Sequence, residues 1–250
     1  MPEALEMAAR DRLAIALDVP SLSEAESLIA RLGAVPGWLK VGSQLFGVAG
    51  PAAIACARRE ARVFLDLKFH DIPNTVAGAV AAATTHGVSM LTVHASGGVE
   101  MLRAARDSAS ESAERSGAER PLIVAVTVLT SLSPADLKEI GVAADAVEDQ
   151  VARMVDLALS AGLDGIVASP REAAGVRARA GAGLRIVTPG VRPKSWPADD
   201  QARTAGAAAA IEAGSDLLVV GRPVVRAEDP RVVARVLVGE IEEGLARRSA

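Results

Sequence analysis

Short apolar runs recur along the whole chain, at Leu13–Leu17, Trp38–Val41, Val63–Leu67, Met90–Val93, Leu122–Val128, Gly165–Ala168, Arg185–Val187 and Leu217–Val220. They are apolar at nearly every position rather than at alternate ones. That pattern suits parallel strands buried on both faces. Between them lie Ala-rich stretches such as Ser23–Leu32, Thr75–His86, Gly98–Ser112, Ala144–Ala161 and Pro197–Ala213. Their length and 3.6-residue spacing predict amphipathic helices. Ser21 and Ser23 precede the first helix, and Glu24 and Glu26 occupy its first turn, as an N-terminus favours.

Glycines mark the other ends. Gly87, Gly162 and Gly214 each follow a helical run and precede a strand. The pieces His86-Gly87-Val88, Ala161-Gly162-Leu163-Asp164 and Ala213-Gly214-Ser215-Asp216 resemble one another and mark one helix-to-strand turn in successive units. The polar segment Glu111–Arg120 reads as a surface connection.

Eight strands alternating with helices over 250 residues predict an α/β fold, a (β/α)₈ TIM barrel with a parallel eight-stranded core. An open doubly wound sheet is the other arrangement of such a pattern. It would normally carry a Gly-rich fingerprint after its first strand, where this chain has Leu17-Asp18-Val19-Pro20. No linker or composition break divides the chain, so residues 1–250 are expected to form one domain.

Composition narrows the function classes. The net charge is -4 and no basic patch is clustered, which argues against nucleic acid as a partner. No apolar run reaches the roughly 18 residues needed to span a bilayer, and Met1–Arg10 lacks the apolar segment of a signal peptide. The one cysteine, Cys56, lies in the Ala-rich stretch Pro51–Ala61 and reads as buried helix rather than nucleophile. A soluble cytoplasmic protein without membrane or nucleic-acid partners is expected. Of 27 basic residues only Lys40, Lys68, Lys138 and Lys194 are lysines, so each merits inspection where a compact ammonium or a transferable proton is required.

A barrel of this type carries its active site at the C-terminal ends of the strands. The runs end in Asp18, near Lys40, at Asp66 and Lys68 with Asp71 beyond, at His94, at Thr127, Thr130 and Ser131, at Ser169, at Thr188 and Arg192, and at Gly221-Arg222. The third is the most informative. Strand side chains alternate, so Asp66 and Lys68 share one face and Leu65 and Leu67 the other. With the leucines on the helices, the Asp and Lys point into the barrel mouth, where Lys40 and Asp18 could join them. Charges there must be paired. An ion-pair cluster that only sets strand register is the plainer alternative.

No His, Asp and Glu arrangement has metal-ligand spacing. His94 reads as a satisfied barrel histidine. After the last strand, Gly221 would let a backbone N–H approach a phosphate oxygen, and Arg222 would add a bidentate fork. The segment from Thr188 to Gln201 reads as a lid with rigid ends. A small phosphorylated substrate follows.

The motifs Leu17-Asp18-Val19-Pro20, Leu39-Lys40-Val41-Gly42, Phe64-Leu65-Asp66-Leu67-Lys68-Phe69-His70-Asp71-Ile72-Pro73-Asn74-Thr75-Val76, Leu91-Thr92-Val93-His94-Ala95, Val126-Thr127-Val128-Leu129-Thr130-Ser131, Thr188-Pro189-Gly190-Val191-Arg192-Pro193 and Val219-Val220-Gly221-Arg222-Pro223 occur in this order. In them the chain resembles the orotidine 5′-monophosphate decarboxylase family. The resemblance implies decarboxylation of orotidine 5′-monophosphate to UMP and CO₂ in pyrimidine biosynthesis, with no cofactor and no metal. It assigns Lys40, Asp66 and Lys68 to a charged catalytic network, with Lys68 protonating C6. It assigns Asp71 to the site of a second subunit, hence a homodimer. It places Asp18 and Lys40 on the ribose and Thr130 and Ser131 on the pyrimidine. Arg192, Gln201, Gly221 and Arg222 fall on the phosphate, and Ile72 and Thr75 belong to the same substrate site. Some members also place a tyrosine near the phosphate, and this chain has none.

Two rivals remain open at this point. A related barrel enzyme with an Asp-x-Lys-x-x-Asp strand would need Mg²⁺ and act on a sugar phosphate. A catalytically dead barrel would only bind a nucleotide.

Overall fold

A computed structural model describes residues 8–143, 146–193 and 205–248. Ten strands run in chain order: β1 Leu13–Ala16, β2 Trp38–Gly42, β3 Arg62–Phe69, β4 Met90–His94, β5 Leu122–Val126, β6 Gly165–Val167, β7 Arg185–Pro189, β8 Val191–Arg192, β9 Ala205–Gly206 and β10 Leu217–Val220. The helices are α1 Leu22–Leu32, α2 Ser43–Ala49, α3 Pro51–Arg58, α4 Pro73–Thr85, α5 Gly98–Ser116, α6 Pro134–Glu139, α7 Val147–Ala161, α8 Ala173–Ala180, α9 Ala207–Glu212, α10 Arg222–Val225 and α11 Pro230–Arg248.

Strands β1 to β7 pair in sequence, all parallel, and β10 closes the ring between β7 and β1. The expected TIM barrel is therefore present. The short pair β8–β9 lies outside it. Helix α1 shows why these segments fold as they do. Ser21 caps it, its hydroxyl accepting from the Glu24 amide at 3.2 Å. Ala25, Leu28, Ile29 and Leu32 recur on one face and are buried against the barrel. Burying each larger one contributes about 2 kcal/mol. Gly33 ends the helix at a φ of +59° that other residues adopt poorly.

Two apolar layers result. The larger lies between strands and helices. The smaller lies inside the ring, where Trp38, Phe64, Met90, Val124, Val187, Leu217 and Val219 fill the barrel. This interior packing floors the mouth, above which the main cavity opens at the C-terminal ends of the strands.

Several expected boundaries move. Glu111–Ser116 is not loop but the last turns of α5, which Gly117 ends at a φ of +64°. Its polar residues form a solvated helix face. Ser23 lies inside α1 rather than before it. The fifth strand stops at Val126, and Val128 lies beyond it. Of the expected helix Pro197–Ala213, Ala205 and Gly206 instead pair with Val191 and Arg192, and the helix starts at Ala207. Residues 197–204 of that stretch, and Ala144 and Asp145 of another, lie outside the described residues. Cys56 is buried in α3, as expected. Among the described residues no helix is long and apolar enough to cross a membrane.

Candidate active site

A cavity of about 280 Å³ opens at the C-terminal mouth of the barrel. Residues from the ends of seven barrel strands and from β8 line it, including Asp18, Lys40, Asp66, Lys68, Thr130, Ser169, Arg192, Gly221 and Arg222. Its wall between the charged ends is apolar, made by Val126, Val128, Leu129, Val167 and Ala168. Among the described residues its ionisable lining comprises four cations (Lys40, Lys68, Arg192, Arg222) against two carboxylates (Asp18, Asp66). A site with that excess attracts a polyanion.

On one side the charges alternate in a chain. Lys40 Nζ lies 3.3 Å from Asp18 Oδ1 and 3.4 Å from Asp66 Oδ2. Lys68 Nζ lies 2.9 Å from Asp66 Oδ1. Lys40 is buried and Asp66 nearly so, whereas Asp18 and Lys68 reach the solvent-filled mouth. Burial alone would push the Asp66 carboxyl up. Lys40 and Lys68, with hydrogen bonds from Lys68 and Thr92, outweigh it and hold Asp66 below the usual carboxylate range. The carboxylate stays ionised and fixes both ammonium groups.

Simple alternation does not explain how Lys68 reaches Asp66. Leu65 faces Leu91 on β4, and the next paired position is Phe69 against Val93. Three residues of β3 thus stand against Thr92 alone, which makes a bulge. Lys68 takes a φ of +53°, the only positive value outside glycine among the described residues. A left-handed lysine costs on the order of 1 kcal/mol and marks a site where packing enforces it. The Lys68 amide, out of the ladder, donates to Thr92 Oγ1 at 2.8 Å.

Across the mouth, Arg192 is buried at the end of β8 and Arg222 starts α10 directly after Gly221. A Cβ on Gly221 would sit 3.5 Å from Ala16 Cβ and from Asp18 Oδ2, taking up cavity space. The two arginines and the backbone at Gly221 gather N–H donors of the kind that suit an anion, on the part of the mouth that runs from β8 to the Asp18 end of the network.

Not every expected residue lines this cavity. Asp71, Ile72 and Thr75 are exposed just past β3, outside the lining, and Ile72 is 66% exposed. Asp71 Oδ1 accepts from the Ile72 amide at 2.6 Å. Ser131 is exposed and absent from the lining, while its neighbour Thr130 contributes to it. Gln201 and Lys194 lie outside the described residues. Lys138 is exposed on α6 and does not belong to the cavity lining. His94 does not line the cavity. It bonds Ser96 Oγ at 2.7 Å and stacks on His70 with centroids 5.3 Å apart. Burial, then His70 and Lys68, lower its pKa, so it stays neutral. Thr92 and the apolar wall carried no signal of their own in the sequence, since buried threonine and valine are ordinary in strands.

Comparisons with known proteins agree on one family. Residues 11–237 match the model of the Orotidine 5'-phosphate decarboxylase / HUMPS family. The Orotidine 5'-phosphate decarboxylase of Moorella thermoacetica is 49% identical over 244 residues, covering 97% of this chain and 96% of the relative. That of Alkalilimnicola ehrlichii is 52% identical over 221 residues, covering 88% and 91%. Among solved structures, Orotidine 5'-phosphate decarboxylase from Lactobacillus acidophilus superposes with a TM-score of 0.82 at 32% identity, covering 92% of this chain and 99% of that one.

Proposed function

The chain belongs to the Orotidine 5'-phosphate decarboxylase / HUMPS family, and we propose from that membership and from its site that it converts orotidine 5′-monophosphate to UMP and CO₂. The observation that carries the reading is the alternating chain Asp18–Lys40–Asp66–Lys68 facing an arginine pair across one cavity. A substrate with a carboxylate at one end and a phosphate at the other is matched at both.

The residues divide by place. Arg192, Gly221 and Arg222, with Gln201, hold the phosphate. Asp18 and Lys40 hold the ribose. Thr130, which lines the cavity beside the apolar wall, falls to the pyrimidine, and Ser131, exposed in the single chain, is assigned to it as well. Asp66 stands beside the reacting carboxylate, and their repulsion eases as CO₂ leaves. The C6–carboxylate bond breaks with its electron pair left on C6, where the ring delocalises it poorly. The Lys68 ammonium is already oriented by Asp66 and stabilises that charge with little reorganisation. It then gives C6 a proton and regains one from solvent.

The same reading makes the enzyme a cytoplasmic homodimer. Asp71, Ile72 and Thr75 are exposed in the single chain and outside its own cavity. That supports their completing the site of a second copy, with Asp71 as the further carboxylate on Lys68. An exposed isoleucine beside them fits a surface that a partner covers.

The fall in absorbance as orotidine 5′-monophosphate is consumed tests the proposal. Turnover is expected with or without EDTA. Activity lost in EDTA and restored by Mg²⁺, seen with a sugar phosphate instead, would move the chain to the metal-dependent branch.

A further inference from the structure

The hydroxyl of Thr92 occupies an unusual position. The side chain is fully buried on β4. Its Oγ1 accepts from the Lys68 amide at 2.8 Å and lies 3.1 Å from Asp66 Oδ1, to which it donates. The same Asp66 oxygen accepts from Lys68 Nζ at 2.9 Å. One hydroxyl therefore binds the backbone of the lysine and the carboxylate that orients its ammonium. A hydroxyl offers one donor and two acceptor sites, so both bonds form at once.

The register explains why a side chain is needed. Three residues of β3, from Asp66 to Lys68, face the single residue Thr92. The Lys68 amide has no β4 carbonyl opposite it and would be left without a partner. On its other edge β4 keeps a regular ladder with β5, in which Thr92 stands opposite Val124. The hydroxyl is thus anchored to a strand whose pairing with β5 runs without a break from Met90 to His94. Threonine is also stiff about χ1, which keeps the oxygen where the bulge requires it.

We propose that Thr92 is a positioning residue for the decarboxylation, whose hydroxyl holds Lys68 in its left-handed conformation and fixes the Asp66 oxygen that orients the Lys68 ammonium. The inference rests on Lys68 being the proton donor. It assigns Thr92 no contact with substrate. Loss of the hydroxyl should therefore act on turnover and leave binding in place, because its two bonds go to the Lys68 amide and to Asp66.

Three variants of the full-length enzyme test this. Thr92→Val keeps the branched shape and removes both bonds. Its kcat should fall roughly 10- to 100-fold, the scale of an ångström-size misplacement of a reacting group, with KM and UMP affinity near wild type. Thr92→Ser restores the hydroxyl and should restore most of kcat. Thr92→Ala is read by the same criteria if the valine variant does not fold. Wild-type kcat in the valine or alanine variant overturns the proposal. So does a serine variant as impaired as valine, because shape rather than the hydroxyl would then matter, and so does a loss confined to KM. Lys68→Ala separates the two levels. If that variant turns over normally, the proton-donor reading fails. If it is dead while the hydroxyl-free variants are fully active, only the role of Thr92 fails.

Discussion

Asp66 and Lys68 are two positions apart on β3, yet Asp66 Oδ1 lies 2.9 Å from Lys68 Nζ because the strand turns left-handed at the lysine. In a regular strand two such side chains stand side by side and perpendicular to the sheet. The bulge instead swings the lysine so that its ammonium caps the carboxylate. Backbone strain and charge pairing are coupled: the left-handed turn forms the pair, and the pair together with Thr92 holds the turn.

The first consequence concerns Lys68 itself. Lys68→Ala removes the ammonium that stabilises and protonates C6. Turnover should disappear into the background, a loss of at least about 10⁴-fold given the size of combined electrostatic and acid terms. Binding of UMP, measured by titration calorimetry, should stay within a few-fold, since no proton is transferred to product. An unchanged kcat would sink the assignment.

The second concerns Asp71. Its carboxylate lies outside its own chain's cavity and accepts from the neighbouring Ile72 amide. Asp71→Ala and Lys68→Ala homodimers should each be inactive. Mixing them with verified subunit exchange should restore activity, because a hybrid dimer contains one site with both native residues. At equal mixing half of the dimers are hybrids with one good site of two, so about a quarter of wild-type activity is expected from a shared-site dimer. No recovery despite exchange would place Asp71 in its own chain's site.

Much of this was legible in the sequence, and the exceptions have physical causes. Buried parallel strands are apolar throughout, so all eight barrel strands appeared as runs, and polar residues at their ends marked the mouth. The bulge was not legible, because the residue with positive φ is a lysine rather than a glycine and alternation alone already placed Asp66 and Lys68 together. Thr92 lies in an apolar run and has the signature of an ordinary strand residue, since nothing in one sequence says that a buried hydroxyl serves a neighbouring strand. The end of α5 was misread because a helix turn with a solvated face has the composition of a loop.

The opposite end of the barrel should be separable from catalysis. Asp216, just before β10, accepts from the Ile186 amide at 2.9 Å and pairs with Arg177. Asp164, just before β6, repeats this with the Ile123 amide at 2.8 Å and Arg120 at 2.9 Å. The likeness of the two Gly-x-Asp turns in sequence is thus a repeated tie between adjacent strands. Asp216→Ala leaves the Ile186 amide without its acceptor and takes the carboxylate from Arg177, which keeps only its backbone carbonyls at Gly181, Leu184 and Gly214; it should cost about 2 kcal/mol, seen as a lower Tm. The kcat of the folded enzyme should be unchanged. An unaltered Tm, or a loss of kcat without one, would refute the tie.

Asp66 gives a pH prediction with a definite sign. Burial would raise its carboxyl, but Lys40 and Lys68 win and keep it low in the folded chain. A depressed folded pKa stabilises the fold fully above the unfolded value, near about 4, and that contribution is lost as pH falls through the folded value. Asp66→Asn leaves the buried Lys40 ammonium with Asp18 alone and should cost about 3 kcal/mol at neutral pH. The Tm gap between variant and wild type should stay constant from about pH 7 to 5 and close only below about pH 4. A gap that narrows already between pH 7 and 5 would mean that the carboxyl titrates high, against the paired geometry.

Gly42 offers the most local test of the network. Its φ of -96° is open to any residue, so an added methyl strains no backbone. Yet a Cβ there would lie 2.9 Å from Lys40 Nζ and 3.1 Å from Asp18 Oδ1. The ammonium is the free end of a flexible chain and gives way first. Moving it lengthens its contacts to Asp18 and to Asp66, now 3.3 and 3.4 Å. Gly42→Ala should therefore fold, with a Tm lowered by no more than Asp66→Asn lowers it, since the methyl displaces no packed apolar group and only lengthens the Lys40 ion pairs. Its kcat/KM should fall about 10- to 100-fold, as Lys40 leaves both the ribose and the carboxylate it holds. If Gly42→Ala is as active as wild type, the Lys40 ammonium need not sit where the structure puts it, and the alternating chain Asp18–Lys40–Asp66–Lys68 loses its claim to be the working arrangement.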